Sequence, residues 1–495
     1  MRVLLVNAVS YYVKQKAAVP LGLLSLATVL KQNGHTVEVF DRSVCSGSAA
    51  RRISRFKPDM VGISSLGIKS FPDGMKVSKA AKSRGIPVVW GGHIPSLIPD
   101  LVLGSGLVDY VAVGDGEPVL TALLDALAGK TSLRGIAGLA WLDNGAVTVN
   151  PPAEPRSLAE YPVIDFGFVR PQDYFVRNPP CRRMLHVYSS RGCTGRCAYC
   201  YSPAHCSGRW RPRPVGCVIA ELKNLKDNFG IDGFYFVDDL FAPGAARVRE
   251  VCAALAASGL DLLWSCDMRT DLCDEALLRE MYAAGCRWIF FGVESGSPER
   301  QQSVGKHLDI PAMEEVLRLC RSIGIWTTAS FVIGFPGEDE RELKQTLAFV
   351  DKLSADVKLA ALYGPMPGSE MTEQLVASGR LERPAGWRGW RDLAVIDTLG
   401  EGFSKVPSRE LKVIANYFFL SIFLAKKESA GRRASRVWVK RVAAIGADIA
   451  RRGGWRNILL LLLSVWEFTQ IVWYALMFPG IRKKYGLRFF AKNQA

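Results

Sequence analysis

The chemistry this chain can perform is set by three thiols lying within eight residues. In Ser189-Ser190-Arg191-Gly192-Cys193-Thr194-Gly195-Arg196-Cys197-Ala198-Tyr199-Cys200 the cysteines are separated by three residues and then two, and Gly192 and Gly195 free the backbone to fold back around a small group. Thiolates are the usual ligands of iron-sulfur clusters, and a [4Fe-4S] cube ordinarily takes four of them. Three leave one iron open to a bidentate ligand such as the amino acid end of S-adenosylmethionine (SAM). The sulfonium then lies beside a one-electron donor, and the product of electron transfer is a carbon radical. The same thiols also suit a zinc site completed by Cys206, His205 or Cys181, because structural zinc takes four protein ligands; buried unliganded thiols are the third alternative.

The elements that must hold this loop follow from the apolar pattern. With 495 residues and 49% of them apolar, the chain has room for roughly three domains. Residues 183–375 alternate strand and helix, with candidate strands Met184–Tyr188, Gly233–Val237, Leu262–Cys266, Trp288–Val293, Thr327–Ile333 and Leu359–Tyr363. Six such units suit an incomplete parallel barrel, whose chemistry lies at the carboxyl ends of its strands. The cysteines follow the first strand. Asp238-Asp239 closes the second, Arg269 follows the third, Glu294 closes the fourth, and Gly334 follows the fifth in Gly334-Phe335-Pro336-Gly337-Glu338. A carboxylate pairs with an ammonium, an arginine fork with a carboxylate, and a strand-end Glu can accept two ribose hydroxyls. Each of these is as common in a solvated acid or a helix cap; their order along one end of a barrel gives the set its weight.

The three-then-two spacing, with aromatic Tyr199 just before the last cysteine, resembles the signature of the radical SAM superfamily. The resemblance implies that Cys193, Cys197 and Cys200 hold a [4Fe-4S] cluster, and that Tyr199, Asp238, Asp239, Arg269, Glu294 and Gly334 bind SAM. Pro365-Met366-Pro367-Gly368-Ser369-Glu370 after the last strand matches the cobalamin-binding branch of that superfamily.

Residues 1–150 show an earlier alternation, with apolar runs at Val3–Val6, Thr36–Phe40, Met60–Ser64, Pro87–Trp90 and Asp109–Val113. This pattern predicts a doubly wound parallel sheet covered on both faces, which binds ligands at its strand carboxyl ends. Ser64-Ser65-Leu66, Gly91-Gly92-His93 and Gly114-Asp115-Gly116-Glu117 occupy those ends. The arrangement resembles the Rossmann-like cobalamin-binding domain that precedes the radical core in that branch, which Pro20–Ala27, Gly34-His35 and Pro58–Ser64 match in order and type. The resemblance implies cobalamin contacts from Ser64, Ser65, Leu66, Gly91, Gly92, His93, Gly114 and Glu117. The Asp-x-His-x-x-Gly loop of many cobalamin proteins is replaced by Asn7-Ala8-Val9-Ser10-Tyr11-Tyr12, so cobalamin is expected without a His ligand. A hairpin over 139–148, turning at Asn144-Gly145, closes the domain, and 151–182 is a Pro-rich linker expected over one domain or between the two.

Residues 376–495 are expected to be helical. The net charge of +16 is concentrated there: from Lys426 onward fifteen Lys and Arg face three acids. Ile458 to Phe478 is apolar with Ser464, Glu467 and Gln470 on one stripe and basic clusters at both ends, which favours an amphipathic helix on an anionic membrane surface over a buried or spanning one. Trp387, Trp390 and Phe403 can line a pocket but more commonly fill a core. His186, His205 and His307 lack a partner in sequence and are taken as structural; Lys306 is taken as solvated unless it faces substrate. The scattered cysteines and the strand at the N-terminus place the expected location in the cytoplasm, where thiols stay reduced.

The resemblance implies a cobalamin-dependent radical SAM enzyme fed by an external electron donor. Methyl transfer to an unactivated carbon is the commonest activity of that branch, with one SAM supplying the methyl group and another the radical that takes a substrate hydrogen. The basic tail points to a small, lipophilic, isoprenoid or hopanoid-like substrate. Radical oxidative cyclisation is the enzymatic alternative. RNA binding by the basic tail is the alternative of another class, disfavoured because no aromatic-studded basic strand accompanies it.

Overall fold

The computed structural model describes residues 1–9, 18–45, 47–178, 180–394, 403–424 and 478–487. Its first sheet contains β1 (Arg2–Asn7), β2 (Thr36–Asp41), β3 (Met60–Ser64), β4 (Val88–Gly91), β5 (Tyr110–Ala112), β6 (Leu139–Asp143) and β7 (Ala146–Val149). They lie in the order β2-β1-β3-β4-β5-β6-β7, parallel as far as β5 and antiparallel beyond it. The β1 run shows why. Val3, Leu4, Leu5 and Val6 are all fully buried; Val3 and Leu5 join the core on one face, Leu4 and Val6 the core on the other. A strand that is apolar at every position needs cover on both faces, as a parallel sheet with crossover helices provides. The β6–β7 hairpin turns through Asn144 and Gly145, both at positive φ (50° and 84°), as a two-residue hairpin turn prefers.

The second sheet adds β8 (Val176–Asn178), β9 (Cys181–Val187), β12 (Gly233–Phe236), β13 (Leu263–Met268), β14 (Cys286–Glu294), β15 (Trp326–Ile333) and β16 (Val357–Leu362). From β9 to β16 six strands run parallel, and β8 pairs antiparallel at the edge. The six strands expected from sequence all form, displaced by at most three residues at any end. The pleat sorts their side chains. Phe234, Phe236, Trp264, Cys266, Ile289 and Phe291 are buried in the core beneath the helices, so their alternates Tyr235, Asp267 and Phe290 occupy the inner face of the half-barrel. A separate antiparallel ribbon, β10 (Ser190–Gly192) with β11 (Trp210–Pro212), stands over the end of β9.

The segment between the sheets packs on the first domain: Leu158, Ile164, Phe166 and Tyr174 are buried, and the Tyr174 hydroxyl donates to Asp41 Oδ2 at 2.9 Å. Beyond the second sheet, helices form over Glu370–Ala377, Trp387–Ala394, Ser408–Leu424 and Pro479–Tyr485. Trp390 is buried in the core on one face of the first sheet, Trp387 packs 6.0 Å from Phe71, and Phe403 is buried 6.2 Å from Tyr363, so all three aromatics fill cores. Residues 458–477 and Arg451, Arg452 and Arg456 lie outside the described residues. Of the basic cluster after them, Lys484 is paired with Glu340 (2.8 Å) and Glu410 (2.9 Å). Among the described residues no helix is long and apolar enough to cross a membrane.

Candidate functional site

The ribbon closes a loop, residues 193–209, that carries all three cysteines. Its base admits only glycine at 192: φ is +86°, and a Cβ would stand 2.1 Å from the Arg209 carbonyl oxygen. Gly195 lies against two of the sulfurs, its would-be Cβ 3.2 Å from Cys193 Sγ and 3.9 Å from Cys197 Sγ. Backbone N–H groups already face the thiols, Gly195 donating to Cys193 Sγ at 3.3 Å and Ser202 to Cys200 Sγ at 3.4 Å. Burial raises the Cys193 thiol and carries Cys200 to about 11, and those N–H donors offset it in part. Metal loading at neutral pH therefore releases protons, and the same donors stabilise the thiolates that result.

The proposed fourth ligands of a zinc site are engaged elsewhere. Cys206 Sγ donates to the Ser202 carbonyl at 3.0 Å and accepts from the Cys193 N–H at 3.4 Å. Cys181 begins β9, a strand's length of about 20 Å from the loop. The His205 ring packs on His93, 4.7 Å between centroids. Among the described residues no three His, Cys, Asp or Glu side chains converge on one point as a single ion requires. A cube, seating each thiolate on its own iron, does not ask this of them. Three cysteines with their thiols met by backbone donors or left open, and Cys206 of the same loop engaged by the backbone instead, fit a cluster with one open iron.

The pair at the end of β12 braces this loop. Asp238 is buried and accepts from Ser189 N–H (2.7 Å), Ser189 Oγ (2.7 Å) and Ser190 N–H (2.9 Å). Burial carries its carboxyl up to about 7, against the pull of those hydrogen bonds. Asp239 is exposed and accepts from Gly192 N–H (3.1 Å) and Tyr201 Oη (3.2 Å). Both acids thus bind the cysteine loop, and Asp238 has no face left toward the cleft.

Across the barrel mouth, Glu294 follows an irregularity in the β14–β15 register and sits at φ +65°, strained for a residue with a side chain. Its carboxylate meets Lys306 Nζ at 2.6 Å, both side chains less than a tenth exposed. Tyr199 also hydrogen-bonds Glu294, and burial followed by the Glu294 charge raises its phenol. Arg269 forks onto Asp271 (3.0 and 2.8 Å) and reaches the Lys306 carbonyl at 3.0 Å. The structure therefore brings Tyr199, Arg269 and Glu294 together and adds Lys306, which is buried and paired rather than solvated. Gly334 (φ +82°) faces the helix Ser408–Leu424 instead: a Cβ would lie 2.9 Å from Leu411 Cδ1.

At the first sheet, Ser64 ends β3, and Ser65 is buried with its hydroxyl 2.7 Å from Ser70 Oγ. Gly92, after Gly91 at the end of β4, sits at φ +104°, and a Cβ there would press to 2.7 Å on the Ser65 carbonyl oxygen; this glycine lets one strand-end loop pack on the next. Leu66 is 64% exposed. Gly114 (φ +82°) has nothing within 4 Å of its would-be Cβ. An exposed leucine and an open glycine at strand carboxyl ends fit a large ligand with apolar surface. Two residues expected there turn toward the cysteine loop. Glu117 is buried between Ser25 Oγ (2.5 Å) and Arg191 (2.6 and 3.1 Å), and the His93 ring stacks 4.8 Å from Tyr201. Burial lowers the basicity of both His93 and His205, the latter to about 4, so the pair is neutral at physiological pH. Sequence pattern alone did not single out Arg191, Tyr201 or Arg211; the adjacency of Arg191 to Cys193 was the available signal.

Comparison with known proteins agrees with both halves of this architecture. Residues 187–350 match the model of the radical SAM superfamily, and residues 15–124 match that of the B12 binding domain. An uncharacterized methyltransferase of Pyrococcus horikoshii is 29% identical over 82% of this chain and 88% of its own. The hopanoid C-3 methylase of Methylococcus capsulatus is 27% identical over 71% and 67%. The anaerobic magnesium-protoporphyrin IX monomethyl ester cyclase of Rubrivivax gelatinosus is 25% identical over 72% and 66%. Among solved structures, the radical S-adenosylmethionine methyltransferase TsrM of Kitasatospora setae, with tryptophan and a SAM analogue bound, superimposes with a TM-score of 0.66 at 22% identity, covering 78% of this chain and 77% of TsrM.

Proposed function

We propose that this chain, which belongs to the B12-binding branch of the radical SAM superfamily, is a methyltransferase that places a methyl group on an unactivated carbon of a small, lipophilic molecule. Its cofactors are a [4Fe-4S] cluster, SAM and cobalamin. When bound, the cluster supplies the electron that cleaves SAM, and cobalamin supplies a carrier for the methyl group. The observation that carries the reading is the packing of the three-cysteine loop directly onto the strand ends of the B12-binding sheet, through Arg191–Glu117 and His93–Tyr201. Two reactive centres held against each other are what a methyl transfer by radical chemistry needs.

In this reading Cys193, Cys197 and Cys200 hold the cluster. Asp239, the exposed acid of its pair, takes the methionyl ammonium, and Asp238 positions the loop by holding Ser189 and Ser190. Arg269 exchanges Asp271 for the methionyl carboxylate. Glu294, oriented by Lys306 and Tyr199, accepts the ribose hydroxyls. Ser64, Leu66, Gly91 and Gly114 contact cobalamin, whereas Ser65, Gly92, His93 and Glu117 act by shaping that surface and joining it to the cysteine loop. Support for an apolar substrate comes from Leu66, Val237 and Leu359, large apolar residues left exposed at or next to strands of the two sheets, and from the relative that methylates hopanoids.

The test is anaerobic incubation of reconstituted protein with SAM deuterated at the methyl group, a chemical reductant and isoprenoid or hopanoid lipids, followed by product mass. Methyl transfer adds the labelled group. A product that has lost hydrogens without gaining label establishes oxidative cyclisation instead, the activity that the Rubrivivax relative's name describes. Replacement of all three cysteines by Ala removes iron and colour; retention of the cluster in that variant refutes the ligand assignment.

A further inference from the structure

One half-buried guanidinium joins the two cofactor sites, and we propose that Arg191 couples them, so that filling either site tightens the other. Arg191 lies two residues before Cys193 in β10. Its guanidinium donates to Glu117 Oε1 (2.6 Å) and Oε2 (3.1 Å), Ser25 Oγ (3.2 Å), Asp115 Oδ1 (3.4 Å) and Tyr188 Oη (3.4 Å). Tyr161 and Tyr188 flank it, their ring centroids 5.4 and 5.3 Å away. The ribbon register sets Arg211 directly opposite Arg191. Two like charges at that spacing repel, and the arrangement is stable because both grip the same acid: Arg211 donates to Asp115 at 2.7 and 3.0 Å. Burial would raise the Asp115 carboxyl, but the Arg211 hydrogen bond and the charges of both arginines outweigh it and hold it below the usual carboxylate range.

Asp115 and Glu117 flank Gly116 and follow the open Gly114, so the ribbon leading into the first cysteine is pinned to the loop assigned to cobalamin. The inference rests on that assignment and on the cysteine ligands. A ligand that orders the Gly114–Glu117 loop also orders the Arg191 network and, through β10, the entry to the cysteine loop. The second ligand then binds without repeating that entropic cost, which is positive cooperativity without a large movement. Linkage makes the effect reciprocal. Arg191 is thus a positioning residue that touches neither reacting group.

The experiment uses full-length protein with hydroxocobalamin as probe and iron and sulfide for cluster reconstitution. Absorbance titration gives the hydroxocobalamin Kd of cluster-free and of cluster-loaded protein; the rate of iron loss to a chelator, with and without hydroxocobalamin, gives the reverse effect. Wild type is expected to bind hydroxocobalamin about tenfold more tightly when cluster-loaded, and to lose iron more slowly when cobalamin is present. Arg191→Gln and Glu117→Gln each bring the Kd ratio close to one, and the double variant lowers it no further. Arg191→Lys, which keeps the charge and loses the fork, retains an intermediate ratio. A merely structural role weakens both affinities and leaves their ratio at the wild-type value; that result overturns the proposal, as does wild-type protein that holds both cofactors with no coupling. If Arg191→Gln does not fold, the isosteric Glu117→Gln decides alone. Wild-type protein that takes up neither cofactor overturns the functional reading and this inference with it.

Discussion

Replacing Lys306 by Met leaves the buried Glu294 carboxyl group without its ammonium partner. The pair stands at 2.6 Å with side chains 9% and 8% exposed, so water cannot take the place of the lost ammonium. Removing one partner of such a pair costs about 3–5 kcal/mol. In a domain the size of the half-barrel each kcal/mol lowers the melting temperature by about 2–4 °C, so Lys306→Met is expected to melt roughly 10 °C below wild type. Glu294→Gln leaves the ammonium unpaired and is also destabilising. The double variant has no orphaned charge, and its cost is less than the sum of the two singles by about 2 kcal/mol. Thermal unfolding of cofactor-free protein, followed by circular dichroism, measures all three. SAM binding by equilibrium dialysis measures the functional consequence, with Lys306→Met weakened because Glu294 is no longer held. A Lys306→Met protein that melts within about 2 °C of wild type, or single costs that add in the double, refutes the argument that the two groups support each other.

Cys206→Ser is expected to retain iron and the charge-transfer absorption of the cluster, because its sulfur is bonded to the Ser202 and Cys193 backbone, whereas Cys200→Ala loses both; iron and sulfide analysis checks the pair. Asp238 carries a carboxyl raised by burial to about 7. The stability it contributes as the neutral acid is complete below the ordinary carboxyl pKa and is lost as pH rises through 7, a span of about three units and about 4 kcal/mol. Asp238→Asn keeps the acceptor for Ser189 and Ser190 and has no such dependence. The melting temperature of wild type relative to Asp238→Asn therefore falls between about pH 4 and pH 8, and parallel curves would contradict the assignment. Trp390→Ala empties a core position beside the first sheet and costs about 3–5 kcal/mol, while Trp390→Phe is mild because the indole N–H has no partner among the described residues; comparative melting distinguishes them.

Both sheets were legible in the chain because strand periodicity is local. The buried-on-both-faces run Val3–Val6 and the six apolar segments of the half-barrel each carry their own signal, and their ends gave the positions of Cys193, Asp238, Arg269 and Glu294 along one rim. The three-cysteine spacing was likewise local, and it pointed to a group of thiols that the structure holds on one loop. Trp387 and Trp390 were ambiguous between pocket and core, since an aromatic's surroundings depend on which sheet face a distant helix covers; they lie over the first sheet, beside Phe71 and Trp90.

Partner choice was not legible. Arg191 and Glu117 are 74 residues apart, and His93 and His205 come from different domains, yet each pair meets at the join between the two sheets. Glu294 and Lys306 are 12 residues apart, but a register shift and a left-handed backbone turn the carboxylate toward the ammonium. The sequence by itself determined which chemistry-bearing residues are present and on which strand ends they sit, because residue type and period are properties of short segments. Only the tertiary structure decided which acid faces the cleft and which one braces the loop, because a buried charge is oriented by whichever opposite charge or N–H group the packing of distant elements brings within hydrogen-bond reach.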